Sequence, residues 1–267
     1  MLTPEEVGQY NASGFVLIKQ CLSQDEFGRL EAAYERVMPT AAEHNYFDEC
    51  GTKMMNPFVE ADDSMGELVE HPKIMEAMRD IWGIECLYSG GSDMWSNYSE
   101  TPWHSDGDPG REAVSVKTAI YLDKTTTGKG SLNVIPGSHH PAYSAAIFDA
   151  WGFSEEGRPR LTINRDAIPG IVSVDTSPGD VVIFDTRIWH SAPRRNDGLP
   201  RRTMFISYLP DPKDVPLTRE RLNAIKERLE SGNAYIYSKE MLRKKTPERE
   251  RMAARLEAIG VDRVREP

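Results

Sequence analysis

Hydrophobic residues recur at helical spacing through the first third of the chain. In residues 27–37 the apolar positions lie three or four residues apart, which predicts an amphipathic helix. Capping boxes at 3–6 and 23–26 mark the starts of two helices. Other elements predicted here are a buried strand at 15–18, a polar loop at 44–63 that would cover a site, and a helix at 72–82 that stops at Gly83.

From residue 84 to residue 208 the pattern changes to short apolar runs separated by turns rich in Gly and Pro. Runs at this spacing predict a sandwich or barrel rather than a parallel α/β sheet. We therefore expect a mainly β fold with flanking helices. The predicted strands are 84–88, 92–98, 115–122, 132–135, 171–174, 181–184 and 203–208.

After Pro210 the chain becomes helical and charged again. Residues 217–229 and 240–259 mix Arg, Lys and Glu with apolar residues at intervals, which predicts solvated amphipathic helices. We expect 1–210 to form one domain with its β core at about 84–210, and 211–267 to pack against it as an extension. A contact between subunits, or a lid, is the alternative for these helices.

Composition restricts the class of protein. The chain has 267 residues, of which 39% are hydrophobic, and no apolar run approaches the ~18 residues of a membrane span. Its start lacks the features of a secretion signal, and its three cysteines fit neither a disulfide framework nor a zinc cluster, so we expect the cytoplasm. A net charge of −10 argues against nucleic acid as a partner, because its phosphates would be repelled.

Two histidines and one aspartate carry the main chemical signal. His104 and Asp106 are two positions apart, and a strand would point both side chains to one face. His190 lies 86 residues after His104 (190 − 104), at the end of an apolar run. Two imidazoles and one carboxylate form the facial triad that holds non-haem Fe(II) and leaves positions open for co-substrate and oxygen. Both histidines are expected at strand ends, where sites are usually built.

Other residues compete for these roles. Asp108 is the rival carboxylate, but it lies beyond a glycine, where strand alternation has ended, so we favour Asp106. His139 and His140 follow a Pro-Gly turn and are expected to be exposed. His44 and His71 have no partner nearby in sequence and are interpreted as structural.

The triad belongs to a longer series of motifs. They are His104-Ser105-Asp106, Tyr121-Leu122-Asp123, the segment 130–139, Pro178-Gly179-Asp180, His190 and Arg201-Arg202-Thr203. Over about residues 5–210 this series resembles a known family, the phytanoyl-CoA dioxygenases. These enzymes are Fe(II)- and 2-oxoglutarate-dependent oxygenases. The resemblance implies a double-stranded β-helix with iron on His104, Asp106 and His190. It also implies that O2 is used to oxidise a small molecule, with release of succinate and CO2 and with ascorbate as a stimulant.

The resemblance also implies residues for 2-oxoglutarate. Arg201 lies eleven residues after His190 (201 − 190), the spacing of the family's arginine, and a planar guanidinium suits a carboxylate. Arg202 is the alternative, although neighbouring strand residues face opposite sides. Lys53 and Met94 match family positions that reach or line the co-substrate pocket. Arg201, Lys53 and Met94 are therefore expected to contact the co-substrate.

Two family positions differ in this chain. A serine often found two residues after the second histidine is Ala192 here, with Ser191 beside it, and an aromatic position is Ala119. Halogenating relatives replace the carboxylate ligand by a small residue. Asp106 fills that position, which favours hydroxylation, desaturation or ring formation.

Asn97 and Lys117 are candidate substrate residues. Asn97 alternates with Trp95 on one face of a predicted strand. Lys117 lies on a candidate inner strand, where an unpaired lysine would be costly; it either binds an anionic substrate or points outward. Four aromatic residues near the predicted metal strands are interpreted as core, with a pocket wall that faces a cationic substrate group as the alternative. They are Trp95, Tyr98, Trp103 and Trp189.

The sequence therefore predicts an Fe(II)- and 2-oxoglutarate-dependent dioxygenase that acts on a small molecule, without nucleic acid or membrane partners. A homo-oligomer formed through the C-terminal helices is a further expectation. The alternative function is a metal- and 2-oxoglutarate-binding β-barrel that senses a ligand without turnover. A hydrolase that uses zinc on the same residues is less favoured, because no general base accompanies the site.

Overall fold

A computed structural model describes residues 2–43, 51–107, 115–164, 167–168, 170–211 and 236–259. These residues form two antiparallel β-sheets flanked by helices. In chain order the strands are β1 (Phe15–Ile18), β2 (Ala42–Glu43), β3 (Lys53–Met55), β4 (Cys86–Asn97), β5 (Thr101–His104), β6 (Val116–Tyr121), β7 (Leu132–Val134), β8 (Gly152–Glu155), β9 (Arg158–Leu161), β10 (Val172–Val174), β11 (Val181–Asp185), β12 (His190–Ala192) and β13 (Arg201–Pro210).

Successive strands of the core cross between the two sheets. The seven-stranded sheet has the order β1–β11–β6–β13–β4–β3–β2, and the six-stranded sheet has the order β10–β7–β12–β5–β9–β8. The described strand pairs are antiparallel. This arrangement confirms the predicted mainly β fold with a double-stranded β-helix core.

The helices begin and end largely where the sequence predicts. Thr3 and Ser23 form both predicted capping boxes, and Gly14 and Gly83 end their helices in the left-handed conformation. These local signals are confirmed because they depend only on neighbouring residues. The helices are α1 (Pro4–Ser13), α2 (Gln24–Val37), α3 (Asp63–Glu67), α4 (Pro72–Trp82), α5 (Pro141–Trp151), α6 (Lys239–Arg243) and α7 (Pro247–Ala258).

Several elements differ from the sequence prediction. The runs predicted as two strands at 84–88 and 92–98 are one strand, β4, which pairs with β13 on both sides of an irregularity where Gly90 has a φ of 80°. The polar stretch at 44–63 contains a short strand, β3, paired with β4. Helix α5 and the hairpin of β8 and β9 were not predicted. The helix predicted at 217–229 lies outside the described residues.

Apolar side chains from both sheets pack against each other at one end of the fold. Phe15, Tyr121 and Phe184 of the seven-stranded sheet share a buried cluster with Leu132 and Val134 of the six-stranded sheet. A second, larger cluster lies between the seven-stranded sheet and the helices. The sheets are thus held together at one end, and a cavity occupies the space between them.

Helices α6 and α7 contact the outer side of the seven-stranded sheet. Met252 and Leu256 of α7 are fully buried in the same apolar cluster as Tyr88 of β4. Arg249 forms a buried ion pair with Glu70, at 2.6 Å. None of the helices in the described residues combines the length and hydropathy needed to cross a bilayer.

Candidate active site

His104, Asp106 and His190 converge in the cavity between the sheets. His104 Nε2 lies 3.6 Å from Asp106 Oδ1, and His190 Nε2 lies 3.7 Å from Asp106 Oδ2. One ligand atom from each side chain lies within 4.8 Å of the other two. Two imidazole nitrogens and a carboxylate oxygen are the donors that a non-haem Fe(II) site with open positions requires. The residues present therefore fit this metal.

The ladder between β5 and β12 places both histidines. His104 is the last residue of β5 and His190 the first of β12, and they are register partners with ring centroids 4.1 Å apart. Their Nδ1–H groups donate to the carbonyls of Pro102 (2.8 Å) and Ile188 (3.0 Å). A carbonyl can only accept, so each Nε2 keeps its lone pair for a metal. His190 was predicted to close the strand that is β11; it opens the next strand instead.

Asp106 is positioned by a turn. Because β5 ends at His104, the prediction that strand alternation brings both ligands to one face is wrong. Ser105 Oγ donates to the carbonyl of Gly107, and the Gly107 amide donates to Thr186 O at 2.7 Å. A Cβ at Gly107 would meet Thr186 Oγ1 at 3.0 Å, so the close approach that fixes the turn favours glycine.

A lysine contacts the carboxylate of this triad. Lys117 Nζ lies 2.9 Å from Asp106 Oδ2 and 5.4 Å from the centroid of the Phe205 ring. Burial would raise the pKa of Asp106, but Lys117 and the two histidines hold it well below its usual range. Burial, together with the nearby His104, lowers the pKa of His190 to about 3. The triad is therefore ready for a metal, with an ionised carboxylate and a neutral His190.

The cavity around the triad has a volume of about 630 Å³. Its walls come from both sheets. The metal ligands lie on the six-stranded side, and most charged and aromatic side chains that face them lie on β4, β6 and β13. The lining includes Asp93, Trp95, Asn97, Thr101, Pro102, Ser105, Gly107, Lys117, Tyr121, Leu132, Gly157, Arg158, Pro159, Arg160, Ser191, Ala192, Arg201, Thr203 and Phe205.

The two candidate arginines of β13 face opposite sides of the seven-stranded sheet. Arg201 is 5% exposed and lines the cavity, where its guanidinium donates to Pro193 O (3.1 Å) and Thr101 Oγ1 (2.8 Å). It forms no ion pair with a carboxylate among the described residues. Arg202 points away from the cavity and is neutralised by acids. Its partners are Asp123, Glu31 and Glu35.

The same alternation decides which other candidates reach the cavity. Asn97 pairs with Arg201 across β4 and β13 and lines the cavity, as Lys117 does. Met94 lies on the other face of β4, fully buried in the cluster under the helices. Lys53 pairs with Ser96 and thus shares the face of Met94. The structure does not bring Lys53 or Met94 into the cavity.

The rival ligands stay apart from the triad. His139 is 6% exposed, with Nε2 3.2 Å from Asn11 O, so the prediction of an exposed turn residue is wrong for it. The side chain is buried because the turn packs against the end of α1. His140 is exposed, as predicted. Asp108 lies outside the described residues. Trp103 and Trp189 belong to an apolar cluster, as interpreted, whereas Trp95 lines the cavity.

Three charged residues of the cavity were missed in the sequence. Asp93 follows from alternation, since it precedes Trp95 and Asn97 at intervals of two on β4. Trp95 Nε1 donates to Asp93 Oδ2 at 3.4 Å, and burial raises the pKa of Asp93, although Lys117 opposes the rise. Arg158 and Arg160 lie on β9, whose only signal is the Glu-Gly turn before it.

Similar proteins share this fold and arrangement of strands. The chain is 26% identical over 234 residues to the ectoine dioxygenase of Bordetella parapertussis, which covers 78% of this chain and 75% of that enzyme. The structure superposes on the nogalamycin carbocyclase SnoK with a TM-score of 0.62 at 23% identity, over 79% and 85% of the two chains. EctD of S. alaskensis, solved with 2-oxoglutarate and 5-hydroxyectoine, gives a TM-score of 0.58 at 20% identity, over 79% and 77%.

The fold, the triad and the buried arginine define a non-haem oxygenase that depends on Fe(II) and 2-oxoglutarate. The model of the phytanoyl-CoA dioxygenase (PhyH) family matches residues 10–203, and the chain belongs to this family. It is an oxidoreductase of the dioxygenase class, which favours catalysis over a role as a binding protein without turnover.

Proposed function

We propose that His104, Asp106 and His190 hold Fe(II) and that Arg201 holds the distal carboxylate of 2-oxoglutarate. The observation that carries the proposal is that Arg201 is buried in the same cavity as the triad, with no carboxylate partner among the described residues. A buried cation without a counter-ion is costly, and an anionic co-substrate would relieve that cost.

The roles of the other groups in the cavity follow from their chemistry. When bound, Fe(II) supplies the chemistry by which O2 and 2-oxoglutarate yield succinate, CO2 and an oxidised substrate. Each histidine donates its Nδ1–H to a backbone carbonyl, which orients the ring and leaves Nε2 to bind the metal. Asn97 is fixed by accepting from the Ser99 amide at 2.7 Å and lines the cavity as a substrate contact. The cavity walls exclude water and orient one C–H bond.

The substrate is a small molecule, and the outcome is hydroxylation or a related oxidation. Asp106 supplies the carboxylate ligand that halogenating relatives lack, which supports oxidation rather than halogenation. The ectoine dioxygenases among the relatives make ectoine the first compound to test. An identity of 26% supports the class of reaction and not one particular substrate, so the screen extends to other small molecules.

Several broader features remain part of the proposal. Residues 1–210 form the oxygenase domain and 211–267 an extension on it, which the burial of Met252 and Leu256 supports. The protein acts in the cytoplasm, O2 is the oxidant and ascorbate stimulates turnover. Copies associate through the C-terminal helices, which light scattering of the full chain over a range of concentrations would test.

The deciding experiment compares metal binding and succinate release across paired variants. Wild type is expected to bind one Fe(II) anaerobically and to release succinate slowly from 2-oxoglutarate. His104→Ala and Asp106→Asn should lose both properties. The matched variants His140→Ala and Asp108→Asn should keep them. If Asp108→Asn loses the metal while Asp106→Asn retains it, the carboxylate ligand is the wrong one. If wild type neither binds Fe(II) nor releases succinate, the proposal is wrong.

A further inference from the structure

Two arginines line the cavity without a partner in the described part of the chain. Arg158 and Arg160 both face the space beside the metal ligands. Neither guanidinium forms a hydrogen bond or ion pair with a described residue. Glu155 is the register partner of Arg158, yet the two make no ion pair. These are cations available to a ligand.

The hairpin of β8 and β9 sets their position. Arg160 is the register partner of His104, and paired residues of an antiparallel ladder share a face with Cβ atoms ~4.5–5.5 Å apart. Arg158 lies two residues away and points to the same face, about 7 Å along the strand. The turn between the strands has positive φ at Glu156 (50°) and Gly157 (76°), as in a tight two-residue hairpin. Arg160, which is half-buried, is therefore placed beside a metal ligand, and Arg158 lines the same cavity closer to the hairpin turn, where its side chain is exposed.

Arg158 and Arg160 have no carboxylate partner in the described residues, whereas most of the other described arginines have one. β9 lies between β5 and β8, so its charges are not needed to protect a sheet edge. Two cations at this distance repel each other unless an anion lies between them. By contrast, the arginines that have a carboxylate partner are Arg29, Arg36, Arg79, Arg187, Arg195, Arg202, Arg243, Arg249, Arg251 and Arg255.

We propose that Arg158 and Arg160 bind an oxyanion of the primary substrate, so that this dioxygenase acts on small acids. The inference rests on the proposed function of the triad and names the substrate class for it. A planar guanidinium binds a carboxylate through two parallel hydrogen bonds. Arg201 serves a different anion, because it lies on the facing sheet and belongs to the co-substrate. The net charge of −10 repels anions at long range, so the selection is local.

The geometry also restricts where the acid is oxidised. Arg160 and His104 are adjacent across the ladder, so an anion held by Arg160 lies within about one side-chain length of the metal. The C–H bond presented to the metal is then only a few bonds from the acid group.

The first test is a binding experiment that needs no turnover. Protein loaded with Ni(II) and 2-oxoglutarate is titrated with sulfate by calorimetry, at constant ionic strength set with chloride. Wild type should bind sulfate saturably, and Arg158→Gln and Arg160→Gln should each weaken the binding about tenfold. Arg194→Gln is the matched control, since Arg194 is exposed and does not line the cavity. Equal sulfate binding by all four proteins would overturn the proposal.

The second test measures which compounds accelerate succinate release by the Fe(II) enzyme. A panel of small carboxylic acids is paired with the corresponding primary amides. Acids should stimulate the enzyme and amides should not, and Arg160→Gln should lower kcat/KM for the acid at least about tenfold with the KM for 2-oxoglutarate unchanged. The proposal is contradicted if amides stimulate the enzyme as much as the acids do. It is also contradicted if Arg160→Gln changes only the KM for 2-oxoglutarate. Loss of Ni(II) or 2-oxoglutarate binding in wild type would instead refute the proposed function.

Discussion

Lys117 Nζ lies 2.9 Å from Asp106 Oδ2, so the carboxylate of the triad already has a cation beside it. A divalent metal on Asp106 must share or displace this contact, because like charges at such a distance repel. We expect Lys117→Met to lower the Kd for Co(II) about tenfold, or about 1.4 kcal/mol, in calorimetry at neutral pH. Lys124→Met removes an exposed lysine and should leave the Kd unchanged. A weaker Kd in Lys117→Met would mean that Lys117 orients Asp106 for the metal.

Arg201 and Arg202 allow a matched test of co-substrate binding. Arg201→Gln should raise the KM for 2-oxoglutarate at least about thirtyfold, because truncation of a buried charge partner costs roughly 2–5 kcal/mol. Arg202→Gln should leave that KM within about a factor of two, since its partners lie on the other face of the sheet. Succinate release at varied 2-oxoglutarate measures both values. A larger effect from Arg202→Gln would reverse the assignment.

Asp180 connects the turn before β11 to the end of β1. Its carboxylate accepts from the Gln20 and Ser177 amides, both at 2.9 Å, and from Lys19 Nζ at 2.8 Å. Asp180→Asn should lower the free energy of unfolding by about 2 kcal/mol, as expected for hydrogen bonds to a buried charge. Asp175→Asn is the control, because Asp175 is exposed.

The effect of Asp180 should depend on pH with a definite sign. Burial opposes the charge, but Lys19 and the two amides stabilise it, and the pKa of Asp180 lies below its ordinary value. A depressed pKa contributes stability above the unfolded value of about 3.9 and loses it as the pH falls through the folded value. Urea unfolding should show the difference between wild type and Asp180→Asn at pH 7 and its decrease below about pH 4. A constant difference would contradict the role of the charge.

The buried ion pair between Arg249 and Glu70 fastens α7 to the rest of the fold. Arg249 also donates to the carbonyls of Met241 (2.6 Å) and Lys244 (3.1 Å). Arg249→Met would leave Glu70 buried and unpaired, so we expect a loss of about 3–5 kcal/mol in denaturant unfolding. Arg243→Met breaks an exposed pair and should cost less than about 1 kcal/mol. Similar losses in both variants would show that α7 is not held by this pair.

The parts of the fold that sequence predicts well are those set by near neighbours. Both capping boxes, the helix that ends at Gly83 and the positions of the short apolar strands depend on residues a few positions apart. The triad was found because its residue types and spacing restrict the chemistry. The partner of each strand depends on distant residues, so one long strand at β4 was read as two.

The remaining site residues depend on the parity of a strand, which is nonlocal. Lys53 and Met94 match family positions, but Met94 lies on the face of β4 away from the cavity, and Lys53 shares that face because it pairs with Ser96. Asp106 lies beside His104 and His190 because of a turn that hydrogen-bonds to Thr186, and not because of strand alternation. The pair Arg158 and Arg160 has no motif, and its placement appears only once β9 is paired with β5.

The segment from Thr186 to His190 supports both arms of the metal site. Thr186 accepts from the Gly107 amide next to Asp106, and Ile188 O accepts from His190 Nδ1. The Trp189 amide is fixed by Ser138 Oγ at 2.8 Å. For protein engineering of the metal preference, this segment is therefore a single point at which a backbone shift would move Asp106 and His190 together. Libraries that vary the ligands alone would leave this shared support, and the spacing it dictates, untouched.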